Sequence, residues 1–462
     1  MTNYIIQPNH GYLRSFFWNS IKMNARQSLF MVLAVNLLAI PAWCATPIPG
    51  ATQKHPIALT GGTIHPMTRP AFVGTLLFDK GRIVAVGADV KTPPGTEIIK
   101  VPGKHVYPAM IDSHTQMGLV EIGAVRATRD QAEVGSMNPN VKAQVAVNPD
   151  SEMIPVARSN GVALTLTVPT GGTITGTSAL LQLDGWSWED LTLKAPVAMH
   201  LDWPRMAPIQ AWWMKKSPQE QKKERDETLR KLKDFFDQAR HYGQARRAQG
   251  DGTKRQEFDA RLEAMAPVLA GKIPLIVSAD EIRQIQAAVA FASREKVRLI
   301  LHGGYDAMEC VELLRSHDVP VIVGGSHRLP RKRDDAFDEP FTLPKRLHEA
   351  GIRFCIAGNG GASNVRNLPY HAATAAAHGL PVEEALKAVT IYPAKILDAA
   401  DRVGSLEVGK DATLIVVDGN PLDVRGQVEQ EFIQGRRVDL NDKHKTLWNK
   451  YREKYRRLRE RE

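Results

Sequence analysis

Ser326 and His327 stand side by side in GGSHRLP, and a serine beside a histidine is the pairing from which a hydrolase can build an activated nucleophile. The setting speaks against that use, because no Gly-x-Ser-x-Gly elbow occurs at a strand-to-helix turn. The run TGGTITGTSA (170–179) offers successive backbone N–H groups, which would suit a substrate carboxylate or simply form a flexible loop. It lacks the Gly-Lys-Ser/Thr of a phosphate loop and opens no evident helix. Trp186 and Trp188 in GWSWED would either line a substrate cleft or pack at the edge of a core. Only Cys310 and Cys355 follow the first 45 residues, so the body of the chain has one disulfide at most.

Elements that could position such groups are readable along the chain. Residues 56–106 carry short apolar alternations closed by Gly or Pro, IALTGGTIHP, GTLLFDKGRIVAVG and TEIIKVPGKHVYP, which predict a small β layer. From Tyr107 to about Gly361 the pattern changes to buried apolar strands, among them VALTLTVP, PVAMHLDW, IPLIVSAD, VRLILHGG, VPVIVGG and IRFCIAGNGG. Parallel strands covered on both faces look like this, and their alternation with helices predicts a (β/α)8 barrel or an open α/β sheet. Residues 209–270 interrupt the alternation with Leu229, Leu232, Phe235 and Phe236 at helical spacing. They predict a helical hairpin laid over the barrel, as a lid, a partner surface or a neutral insertion. Gly404 to Val438 returns to short strands and turns, a second β piece that mirrors the first.

Composition narrows the partners. Sixty basic against 50 acidic residues in 462 give +10, but the excess sits at the ends. Residues 1–45 hold Arg14, Lys22 and Arg26 with no acid, then an apolar run from Leu29 to Ile40 broken only by Asn36, then small residues. That is the plan of a signal peptide, too short for a ~20-residue membrane span, and it predicts export to a bacterial periplasm. Residues 443–462 form a basic C-terminal tail, nine Lys or Arg against three Glu, that reads as a solvated helix or one touching anionic lipid or nucleic acid. The segment between these ends is left with only +1, so it has no basic face on which to hold nucleic acid.

Two long motifs carry a family resemblance. GSLEVGKDATLIVVDGNPLD (404–423), preceded by TIYPAKILDAADRV, resembles the C-terminal signature of the amidohydrolase superfamily; GGTIHPM, GRIVAVG and PGKHVYPAMIDSHTQMG resemble its N-terminal counterpart. The resemblance is nearest to the branch holding imidazolonepropionase and prolidase-type enzymes. It implies a (β/α)8 TIM barrel (107–395, with the insertion at 209–270) and a small composite β-sandwich built from both ends of the chain (56–106 and 396–442).

The resemblance also implies a metal site at the C-terminal ends of the barrel strands. The family pattern is His-x-His after strand 1, a His after each of strands 5 and 6, and an Asp after strand 8, which together hold divalent metal and move the proton of the attacking water. In this chain the pattern reads His114 and Gln116, then Ser278, then His302, then Asn359. His114 and His302 are thus the implied metal ligands, for one zinc or manganese ion or for none. His302 and Asn359 occupy catalytic positions, and Gln116, Ser278 and His200 are implied to contact substrate. Asp202 and His327 are further groups able to reach inward. An asparagine amide takes no proton in water, so Asn359 cannot replace the family Asp as a base. The expectation is an exported hydrolase of carbon–nitrogen bonds in a small amide or peptide-like substrate, with a reduced metal site. The alternative is an inactive relative that serves as a binding or assembly partner, in a homo-oligomer or beside an active amidohydrolase.

Overall fold

The computed structural model describes residues 48–248 and 257–460; the leader expected at 1–45 lies outside the described residues. The first β layer consists of β1 (Ile57–Ile64), β2 (Phe72–Asp79), β3 (Arg82–Gly87), β4 (Glu97–Lys100) and β5 (His105–Pro108). Lys80 and Gly81, at φ of 48° and 78°, turn β2 into β3 with the handedness that two-residue hairpins favour.

The barrel follows directly. Its strands are β6 (Met110–Thr115), β7 (Val162–Thr167), β8 (Ile174–Thr177), β9 (Ala179–Gln182), β11 (Met199–Asp202), β12 (Leu275–Ala279), β13 (Leu299–Gly303), β14 (Val321–Val323) and β15 (Phe354–Ile356), with β10 (Thr192–Lys194) paired outside β9. Strand β6 pairs parallel with β7, and β11 through β15 pair parallel in sequence. A parallel bridge from Thr115 to Gly360 closes the ring. One stave differs, since the ribbon β8–β9 runs antiparallel to both β7 and β11. The second half of the glycine-rich run 170–179 is therefore strand, β8 and the start of β9.

The last strands return to the first layer. These are β16 (Leu414–Asp418), β17 (Gln427–Ile433) and β18 (Arg436–Arg437), and β16 pairs antiparallel with β5, Val416 opposite Val106. Their shared core includes Leu59, Leu76, Phe78, Val106, Leu414, Val416 and Phe432, with the Phe78 and Phe432 rings edge-on at 5.1 Å. This is the composite β-sandwich beside the barrel. It is tied to the barrel by Asp184, just after β9, which binds Arg158 at 2.9 Å and Arg436 of β18 at 3.0 Å.

Between β11 and β12 the charged stretch forms one long helix, α1 (Pro218–Arg247), started by a capping box of Ser217 and Glu220. Two short helices, Ala260–Ala264 and Ala266–Leu269, precede β12. Leu232, Phe235, Phe236 and Ala239 bury one face of α1 in the main core, and Phe236 meets Phe291 of α2 (Ile282–Glu295) edge-on at 5.0 Å. The helical insertion expected at 209–270 is thus one long helix with two short ones packed against it, and its apolar stripe also meets α2. The terminal helix α3 (Lys443–Arg459) starts at Asp442, whose carboxylate accepts from the His444 and Lys445 N–H groups.

Candidate active site at the barrel mouth

Strand ends bring the implied residues together because β6, β11, β12 and β13 finish at the same rim. His114 lies on β6, His200 on β11, Ser278 on β12 and His302 on β13. The His114 and His302 rings stack face to face, with centroids 3.5 Å apart and planes 9° from parallel. His200, only 3% exposed, lies 5.9 Å from His114 by ring centroids. Ser278 Oγ is 3.1 Å from His302 Nδ1, and Ser278 is the register partner of Asp202 on β11.

Burial sets the charge state. Desolvation pushes the His114 imidazole down to about 4, and it holds His200 and His302 well below the usual value, with neighbouring imidazoles adding to the effect. The three rings are neutral at neutral pH. The buried nitrogens His114 Nδ1 and His200 Nε2 have no hydrogen-bond partner, so the group keeps unspent polar capacity.

This donor set does not fit the metal centre that the resemblance implies. A nitrogen lone pair lies in its ring plane, and a metal sits about 2.0–2.1 Å along it. Two rings stacked at 3.5 Å send their lone pairs into separate, nearly parallel layers, so the geometry of His114 and His302 differs from that of two ligands to one ion. Among the described residues, no three His, Cys, Asp or Glu side chains are grouped to hold a metal.

The remaining candidates divide. Gln116 is half-buried at the rim, its N–H bonded to Gly360 O at 2.8 Å. Asn359 belongs to a second group. Its amide lies against Gly325, where a Cβ would overlap it, near His371. Ser326 and His327 are committed there too: Ser326 Oγ is 3.3 Å from His371 Nδ1, and His327 Nε2 is 2.8 Å from Thr374 Oγ1. Trp188 packs on a small core with Leu119, Ala143 and Leu181, while Trp186 is 69% exposed. In the run 170–179 the backbone N–H groups of Thr170 and Thr173 donate to Gln131 O and Ser136 O. Cys310 and Cys355 are both free and buried.

Two groups escaped sequence reasoning. Asp112, fully buried, accepts from the N–H groups of His114 and Gly358 at 3.2 Å each and leaves Oδ2 unpartnered; burial raises its carboxyl to about 7. Its signal was its place two residues before His114. The other is a charged cluster on the loops after β12, β13 and β14, in which Arg331 pairs with Asp280, and Arg328 pairs with Glu339 and lies 3.7 Å over the Tyr305 ring. Only long-range folding brings those residues into contact. A groove of about 530 Å³ lined by Pro274, Arg298, Pro320 and Arg353 opens at the opposite end of the barrel, where residues serve stability and not chemistry.

Comparison with known proteins agrees with this architecture. A sequence profile described as the amidohydrolase family matches residues 236–438. Amidohydrolase tasK of Hapsidospora irregularis is 21% identical over 429 residues, 85% of this chain, and the chain spans 42% of that curated relative's length. Imidazolonepropionase of Micrococcus luteus is 42% identical over 82 residues, 17% of this chain and 20% of that protein. Among solved structures, an amidohydrolase from Thermotoga maritima MSB8 superimposes with a TM-score of 0.73 at 27% identity, covering 83% of this chain and 99% of that one. Residues 236–438 thus match the amidohydrolase family, and the fold of the chain is that of an amidohydrolase, a TIM barrel with a β-sandwich beside it.

Proposed function

We propose that the protein is a hydrolase of carbon–nitrogen bonds in a small amide or peptide-like substrate, working at the barrel mouth without the family's paired-metal centre. The observation that carries this is the gathering of His114, His200, His302 and Ser278 at one rim, with all three imidazoles held neutral. A neutral His302 takes a proton from the Ser278 hydroxyl or from a water in its place. That oxygen bonds the substrate carbonyl carbon, the C–N bond breaks and the proton goes to the leaving nitrogen; where Ser278 attacked, a water then cleaves the resulting ester. Asp202, paired with Ser278 in the β11–β12 register, is placed to orient that hydroxyl. The carboxamide of Gln116 supplies donors to a substrate carbonyl and takes no proton. Imidazoles of such low basicity make weak bases, so turnover is slow. The reading also includes export through residues 1–45, on the strength of their basic start and apolar run.

A second reading rests on Asn359, which faces Gly325 and His371 where the family has its proton-shuttling Asp. In that reading the chain binds a small molecule or an active relative and does not turn over. A panel of N-acyl amides and dipeptides, assayed with and without chelator, separates the two. Hydrolysis that survives chelation and falls by about 10²-fold or more in both His302→Ala and Ser278→Ala supports the hydrolase. Absence of turnover across the panel, with binding retained, sinks it.

A further inference from the structure

The terminal helix α3 carries a surface that the catalytic reading does not use. Among the described residues it buries none of its own side chains, and Trp448 is 61% exposed, with Leu447, Tyr451, Tyr455 and Leu458 also exposed. At 3.6 residues per turn these five fall within one arc of about 100°, which His444 shares. Lys443, Lys450, Lys454 and Arg457 border one side of the arc, and Lys445, Arg452 and Arg459 border the other. The acids lie on the far face, where Glu453 binds Arg456 and Arg457 and Glu460 binds Arg456. Arg452 stacks over Trp448 at 4.3 Å, and Lys445 Nζ donates to Leu440 O at 2.6 Å, holding the helix start to the body.

We infer that α3 docks the protein on an anionic lipid surface, lying in the interface with its aromatic stripe down. The charge arrangement argues for this occupant. Cations flank the apolar arc on both sides, where lipid headgroups would sit, while acids occupy the face turned to water. Tyr and Trp place an apolar body and a polar tip at the same depth, and the long Lys and Arg stems reach to the headgroup phosphates. A basic face for nucleic acid has no need of the Leu447–Leu458 stripe. No described helix is long and apolar enough to cross a membrane, so the contact is peripheral.

Sedimentation of the full chain with vesicles tests it, comparing phosphatidylcholine alone with phosphatidylcholine plus phosphatidylglycerol, at low and high salt. The expected result is binding only to the anionic vesicles, abolished by high salt and by Trp448→Glu with Tyr451→Glu, and weakened roughly tenfold or more by Arg452→Ser with Arg459→Ser. Unchanged thermal melting of these surface variants establishes that they fold. Three outcomes overturn the inference: no binding to anionic vesicles, equal binding to both vesicle types, or full binding by the Glu variants. Preferential binding of a single-stranded RNA oligonucleotide, or a dimer in ultracentrifugation that the Glu variants break without any lipid binding, assigns the face to another partner.

Discussion

His302 holds one ring nitrogen 3.1 Å from the Ser278 hydroxyl while its face rests on His114, so its chemistry is that of a neutral acceptor and not of a cation. Residues away from the rim report on the same physics of burial. Glu431 on β17 is 0% exposed, neither of its oxygens has a partner, and desolvation raises it to about 8; nearby Arg158 and Lys445 pull it down, and Asp184 pushes it up. The folded state therefore holds a proton on Glu431 that the unfolded chain releases near 4.5. Stability from this group is complete below about 4.5 and is lost as pH rises towards about 8, at about 1.4 kcal/mol per pH unit. Glu431→Gln removes that loss, so the variant should gain on wild type by a few kcal/mol between pH 5 and 9. Parallel urea titrations check it, and a pH-independent difference would show that Glu431 is not the proton holder. At this scale the motif positions of His114 and His302 could be read from sequence. The roles of Asp112 and His371 could not, because each depends on contacts with a distant strand or helix.

Elements show where pattern reading stops. Buried strands such as β12 and β13 announce themselves as short β-rich apolar runs ended by Ser278 and His302. The stave β8–β9 does not, because glycines that serve strand packing have the composition of a loop. Gly176 sits at φ 127°, and a Cβ there would come 2.7 Å from Val141 O. The segment 135–142 lies against this ribbon, with Thr177 N bonded to Val141 O at 2.8 Å. Gly176→Ala should cost about 1–3 kcal/mol through strain and lost pairing. Chemical denaturation measures it, and a neutral result would mean that the segment shifts without penalty. The 209–270 stretch was legible as helix from Leu232, Phe235 and Phe236. Its packing on α2 was not, since that depends on the partner ring of Phe291.

Over the whole molecule, the two ends of the described chain meet in one sandwich through β5 and β16, which places the family's N- and C-terminal motifs side by side against one barrel. This much was readable, because both motifs are long and stand in the family's order. In the function proposed above, this amidohydrolase-like barrel works at its mouth without paired metal, since His114 and His302 are stacked and Gln116, Ser278 and Asn359 stand where the family pattern has stronger donors. Elemental analysis of the dialysed protein, beside a Gln116→His, Ser278→His, Asn359→Asp variant, addresses it most directly. The expected result is less than one equivalent of zinc or manganese in the native chain and a gain in the variant. Native protein that retains a full equivalent or more and loses it on His302→Ala would contradict it.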